Sequence, residues 1–124
     1  MRILGVGVDL VDVSRIERIL ERFPRFASKH FSPHEIAYCD AQGRRAECYA
    51  ARWAAREAFA KAVGGVPGGR FRDAHVVRDD DGSVRLSVEG PAKERMDAIG
   101  ASDVLLSLTH ERRMAAAFCV AVAP

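Results

Sequence analysis

The spacing of apolar residues changes period several times along the chain, and each change marks an element. Residues 3–8 are a short β-branched apolar run, the pattern of a buried strand. Gly5 and Gly7 inside it suggest close approach of another backbone, or a twist. From Asp12 onward the period lengthens. At about 100° per residue, Ile16, Ile19, Leu20 and Phe23 share one arc, and Arg15, Arg18, Arg22 and Arg25 share another, with Glu17 and Glu21 between. This predicts a helix capped by Asp12 or Ser14 that runs to about Phe23, where Pro24 stops it. It packs one face inward and shows a basic stripe on the other.

Ser32-Pro33-His34-Glu35 has every feature of a helix start: Ser32 to cap, Pro33 for the first helical position, and Glu35 to complete a capping box. After a polar break at 40–45, an Ala-rich helix is predicted over 46–63, ended by Gly64 and Gly65 and followed by a glycine-rich loop to Gly69. Residues 74–78 and 84–88 alternate as strands around an Asp79-Asp80-Asp81-Gly82 hairpin turn. A short helix at 91–99 closes at Gly100, and strands follow at 104–109 and 114–122. The predicted order is strand, three helices, two strands, helix, two strands. That is an α+β fold, with a mostly antiparallel sheet packed against the long Ala-rich helix.

Length adds that the 124 residues make a single domain over 1–124, with no repeat or linker. Twenty alanines against nine aromatic residues favour closely packed helices over a large aromatic core. Net charge is only +2, too small for general nucleic-acid binding, although 16 of the 19 basic residues are Arg, whose planar fork suits phosphate and carboxylate. Three cysteines (Cys39, Cys48, Cys119) without a C-x-x-C pair make a disulfide framework or zinc site unexpected and fit a reducing compartment. Residues 114–123, the most apolar stretch, are too few to cross a bilayer, and no signal peptide is evident. The expectation is a cytoplasmic protein with neither membrane nor nucleic-acid partners.

The common nucleotide and hydrolase motifs are missing: no P-loop, no dinucleotide fingerprint, no zinc-protease helix and no G-x-S-x-G elbow. What remains is a set of polar residues at element ends. Asp9 follows the first apolar strand and either caps the next helix or meets a cation. Arg52, Arg56, Glu57 and Lys61 punctuate the Ala-rich helix, either as a solvated salt-bridged face or as functional groups, and Trp53 on that helix reads as core. Ser107, Thr109 and His110 end a strand, where a lone histidine is commonly structural. Two hard carboxylates without a soft ligand suit Mg²⁺, and Lys and Arg suit the phosphate it would meet. The chemistry this favours is phosphoryl-group or phosphodiester transfer.

At these residues the chain resembles the holo-acyl-carrier-protein synthases, the small trimeric type of 4′-phosphopantetheinyl transferase. The resemblance rests on four motifs in order: Gly5-Val6-Gly7-Val8-Asp9-Leu10-Val11 with Arg15-Ile16; Phe31-Ser32-Pro33-His34-Glu35; Ala51-Arg52-Trp53-Ala54-Ala55-Arg56-Glu57-Ala58-Phe59-Ala60-Lys61-Ala62; and Leu106-Ser107-Leu108-Thr109-His110. It implies transfer of the phosphopantetheine arm of coenzyme A to a serine of apo acyl carrier protein, with release of adenosine 3′,5′-bisphosphate, in support of fatty acid or polyketide synthesis. It further implies that Asp9 and Glu57 hold Mg²⁺, that Lys61 stabilises phosphate charge, and that the serine proton goes to Glu57 or to a water on the metal. His110, Ser107 and Thr109 would contact coenzyme A phosphates, with Arg44, Arg45 and Arg52 as candidates for its 3′-phosphate. The stripe of Arg15, Arg18 and Arg22 would dock the acidic carrier protein, and a homotrimer would form its sites between subunits.

One departure from the family pattern is Arg56, where Lys usually precedes the metal-binding Glu. The loop at 64–70 varies within the family. Two other readings compete: a module that only binds an acidic protein or RNA, and a Mg²⁺-dependent enzyme acting on free nucleotides. The joint presence of Asp9, Glu57 and Lys61 argues against the first, and the exposed basic helix against the second.

Overall fold

The computed structural model describes residues 1–68 and 71–124. Gly69 and Arg70, in the predicted glycine-rich loop, lie outside the described residues. In chain order the elements are β1 (Arg2–Asp12), α1 (Val13–Arg22), α2 (Phe26–His30), α3 (Pro33–Asp40), α4 (Arg45–Ala62), a single 3₁₀ turn (Phe71–Asp73), β2 (Ala74–Arg78), β3 (Val84–Val88), α5 (Gly90–Ile99), β4 (Asp103–His110) and β5 (Met114–Ala123). The α+β expectation holds, with every strand pair antiparallel. The strands divide into two sheets, β1-β5-β4 and the hairpin β2-β3.

Two elements differ from the sequence reading. β1 runs on from Val8 to Asp12 because those residues keep pairing with β5, Asp9 opposite Ala117 and Asp12 opposite Met114. α2 was not predicted, since five residues between Pro24 and Ser32 are too few to show a helical period. The capping signals did work. Asp12 accepts from the Ser14 backbone N–H at 2.9 Å to start α1, and Ser32 and Glu35 form a reciprocal capping box on α3.

The three-stranded sheet lies against α4, and the packing depends on two glycines. A Cβ on Gly5 would overlap the Ala62 carbonyl oxygen, and one on Gly7 the Ala58 carbonyl oxygen. Ala54, Ala55, Ala58 and Ala62 on the helix are buried against Ala115, Ala117, Cys119 and Ala121 on β5. Small residues on both surfaces let backbone approach backbone, which is the use of the high alanine content. Phe31, Tyr49 and Phe59 fill the remaining core.

The expected absence of a disulfide is overturned. Cys39 and Cys48 are bonded, and Cys119 is free and buried. The last turn of α3 and the first turn of α4 double back on each other, so two residues nine apart come together, a juxtaposition that C-x-x-C spacing does not reveal. Among the described residues, no helix is long and apolar enough to cross a membrane.

Candidate active site

Alternation along β1 turns Gly7, Asp9 and Val11 toward α4 and Val6, Val8 and Leu10 away from it. Because the glycines bring that strand onto the helix, Asp9 meets the end of α4. Lys61 Nζ donates to Asp9 Oδ1 at 3.2 Å and to the Val8 carbonyl at 3.0 Å. Glu57, one turn earlier, lies half-buried beside them. Burial raises its carboxyl pKa, the Asp9 charge raises it further, and Lys61 opposes the shift. Asp9 is therefore not a helix cap: Asp12 fills that role.

Asp9 and Glu57 line a cavity of about 540 Å³, whose wall includes Arg15, Ile16, Phe26 and Trp53. Trp53 is both core and cavity wall, with its ring 5.5 Å from Phe26. Among the described residues, no group of three or more His, Cys, Asp or Glu gathers as a metal cage. Two repelling carboxylates with room beside them fit an ion such as Mg²⁺, which completes its shell with water and substrate oxygens.

A second cavity, about 470 Å³, collects positive charge between α3, α4, the β2-β3 hairpin and β4. Its lining includes Tyr38, Arg44, Cys48, Arg52, Arg78 and His110. Arg52 is buried, which pulls its guanidinium pKa below the ordinary value. Its Nη1 donates to Cys48 Sγ at 3.2 Å, and its plane lies 4.7 Å over the Tyr38 ring, with Arg78 over the same ring at 5.4 Å. Arg52 Nε is buried without a hydrogen-bond partner among the described residues. A buried donor left unmade beside two further arginines is the chemistry of an anion pocket.

The sequence reading missed Glu47, which holds two residues of this cavity's wall. Buried in the first turn of α4, it meets His110 Nδ1 at 2.8 Å and Arg44 Nε at 3.7 Å. Its one sequence signal is a glutamate three residues after Arg44. Arg45 does not join this cavity: its Nε donates to Asp40 at 2.7 Å and it covers the Tyr49 ring. Ser107 and Thr109 alternate to the outer face of the sheet with Leu105, opposite Phe118 and Ala116, while the His110 ring turns back to Glu47. Within one chain these three residues therefore do not converge.

Arg56 turns away from Glu57 into the core. Buried at 3% exposure, it pairs with Glu35 and donates to the Ala74 carbonyl at 2.8 Å and the His30 carbonyl at 2.6 Å. Burial lowers its pKa to about 10, which leaves it charged at neutral pH. The solvated face considered for α4 is thus absent at Arg52 and Arg56, both of which are buried.

Arg15, Arg18 and Arg22 are all exposed, as the helical period predicts. They line a shallow groove with Ile19, Glu21 and Phe23, where three arginines outweigh one glutamate. Arg15 also belongs to the wall of the Asp9–Glu57 cavity, so the basic groove opens onto the carboxylates.

A small α+β fold thus carries a carboxylate pair with a lysine and a separate arginine pocket, groups suited to phosphate chemistry. The chain belongs to the 4′-phosphopantetheinyl transferase superfamily, whose sequence profile matches residues 5–120. It is 44% identical over 119 residues to the holo-[acyl-carrier-protein] synthase of Anaeromyxobacter sp. (strain K), an alignment covering 93% of this chain and 92% of that one. The crystal structure of the holo-[acyl-carrier-protein] synthase from Neisseria meningitidis superimposes with a TM-score of 0.87 at 33% identity, covering 98% of this chain and 99% of that one. The enzyme of that name from Bacillus anthracis, in complex with coenzyme A (3′,5′-ADP), gives 0.80 at 28% identity, with 98% of each chain covered. The resemblance read from the four motifs is borne out, and the chain is a transferase of this family.

Proposed function

We propose that this enzyme transfers the 4′-phosphopantetheine arm of coenzyme A to a serine of an apo acyl carrier protein and releases adenosine 3′,5′-bisphosphate. The observation that carries the reading is Arg15, which lines both the basic groove and the cavity of Asp9 and Glu57. An acidic protein seated on the groove can therefore present a side chain to the carboxylates. An enzyme acting on free nucleotides has no use for that continuity.

The roles follow from the chemistry. The serine oxygen attacks the phosphorus bearing the pantetheine arm, and the bond to the bridging pyrophosphate oxygen breaks. Glu57, half-buried beside Asp9, or a water beside it would take the proton of the serine hydroxyl. Lys61, already turned toward Asp9, neutralises charge on the leaving phosphate. Asp9 and Glu57 would hold Mg²⁺, which supplies electrostatic stabilisation of the pyrophosphate when bound. Arg52, Arg44 and His110 would take the coenzyme's remaining phosphate charge in the arginine cavity.

The two cavities share no lining residue among the described residues. The outer face of the three-stranded sheet is also apolar and open: Val6, Val8 and Leu10 on β1 and Phe118 on β5 are each about half exposed or more. A patch of that kind marks an interface. Both observations support a homotrimer in which one subunit's carboxylate cavity meets its neighbour's arginine cavity, with Ser107 and Thr109 reaching the coenzyme across the boundary. The working compartment under this reading is the cytoplasm, where the enzyme supplies carrier proteins for fatty acid or polyketide synthesis.

The test is whether adenosine 3′,5′-bisphosphate is released from coenzyme A only when an apo acyl carrier protein is present. Release without carrier would replace this reading with a nucleotide-hydrolysing one.

A further inference from the structure

The disulfide between Cys39 and Cys48 has no evident structural task. The junction it spans is already pinned by Asp40, which accepts from Arg45 Nε at 2.7 Å and from the Tyr49 hydroxyl at 2.8 Å. Its position is more telling. Cys39 is fully buried, whereas Cys48 forms part of the wall of the arginine cavity. Cys48 Sγ also accepts from Arg52 Nη1 at 3.2 Å. That guanidinium is buried, and its Nε waits without a partner among the described residues.

We propose that Cys39 and Cys48 form a redox-active pair whose state sets how tightly the arginine cavity holds a phosphate, with Arg52 as the element that responds. As a disulfide, Cys48 offers Arg52 only a neutral, weakly accepting sulfur, and the guanidinium keeps its full charge for an incoming anion. When reduced, Cys48 sits against a cation that favours its thiolate. The thiolate then pairs with Arg52 and competes with phosphate for the same donors.

The exchange balances with a small-molecule disulfide such as oxidised glutathione. The Cys48 thiolate attacks one of its sulfurs, breaking that S–S bond and expelling one thiolate. Cys39 then attacks the Cys48 sulfur of the mixed disulfide and expels the second. The protein gives up two electrons and two protons, and the oxidant becomes two thiols. Reduction runs in reverse, with attack on the Cys48 sulfur from the cavity.

The inference rests on the cavity being the coenzyme's phosphate pocket, so the experiment separates the two claims. Calorimetric titration of adenosine 3′,5′-bisphosphate into the full-length protein is run on the oxidised form and on the form reduced by dithiothreitol, each verified by alkylation and intact mass. We expect binding several-fold weaker after reduction. Cys39→Ser leaves Cys48 a free thiolate and should bind weakly in both conditions. Cys48→Ser removes the charge and should bind like the oxidised form in both. The opposite directions of the two variants distinguish charge pairing from general loosening, which would weaken both alike. Equal affinities for the oxidised and reduced proteins, or equal losses in both variants, overturn the switch. Carrier-protein transfer by both forms at saturating coenzyme A, alongside such a result, would show that the enzymatic reading stands without it.

Discussion

Arg56 and Glu35 form an ion pair with almost no solvent exposure, linking the middle of α4 to the start of α3. Glu35 also accepts from the Val76 backbone at 2.9 Å and the Ser32 backbone at 3.0 Å, so one carboxylate ties α3, α4 and β2 together. The residue beside Glu57 is thus a structural cation. Glu35→Gln leaves Arg56 buried without its counter-charge and should cost about 3–5 kcal/mol of stability. Arg56→Lys loses the fork that reaches two carbonyls and a carboxylate, at about 1–3 kcal/mol. Denaturant melts measure both. The pH profile of kcat for Arg56→Lys, taken where it is fully folded, should overlay that of the parent; a displaced profile would return position 56 to the chemistry.

Glu57 gives a pH signature. Its carboxyl binds a proton more tightly in the folded protein than at the ordinary value of 4.5, first through burial and then through Asp9. Stability present below the ordinary value is therefore lost as pH rises through the folded value. In metal-free protein at pH 7, Glu57→Gln should raise Tm by about 1–3 °C, a gain that disappears near pH 4. Mg²⁺ should raise the Tm of the parent but not of the variant. A variant that melts lower than the parent at pH 7 would contradict this account.

Docking on the basic groove predicts a selective kinetic defect. Arg15→Glu should raise the KM for carrier protein by about tenfold at low salt and leave that for coenzyme A within about twofold. Added salt should narrow the difference between parent and variant. An unchanged carrier KM at low salt removes the stripe from recognition.

Phe118 stands at the centre of the open sheet face, opposite Val8 on one side and Ser107 on the other. Phe118→Asp should give a folded monomer by light scattering and circular dichroism, with transferase activity lost, as the proposed site between subunits requires. A parent protein that is monomeric at assay concentration would contradict the shared site.

The sequence was informative wherever a local rule set the structure. Ser32 and Glu35 announced their helix through the capping box, and the arginine stripe followed from helical period alone. Gly5 and Gly7 signalled close backbone approach, and the Ala58 and Ala62 carbonyls are what they approach. Contacts between distant segments were not legible. Glu47 and His110 lie 63 residues apart, and neither position carries a pattern that names the other. Arg52 and Arg56 looked like surface charges because polar residues on an Ala-rich helix usually are; only the packing of α3 and the β2-β3 hairpin over α4 buries them. The Cys39–Cys48 bond likewise depends on how two helices turn.

The central claim is that Asp9 and Glu57 serve transfer of phosphopantetheine to a carrier protein. The most direct measurement is the intact mass of an apo acyl carrier protein after incubation with the enzyme, coenzyme A and Mg²⁺, alongside reactions with EDTA, Asp9→Ala or Glu57→Ala. The account predicts a gain of one phosphopantetheine arm with the parent enzyme and none in the three controls. No gain with any of several carrier proteins would leave a binding module in its place, and a gain that survives loss of either carboxylate would contradict the site.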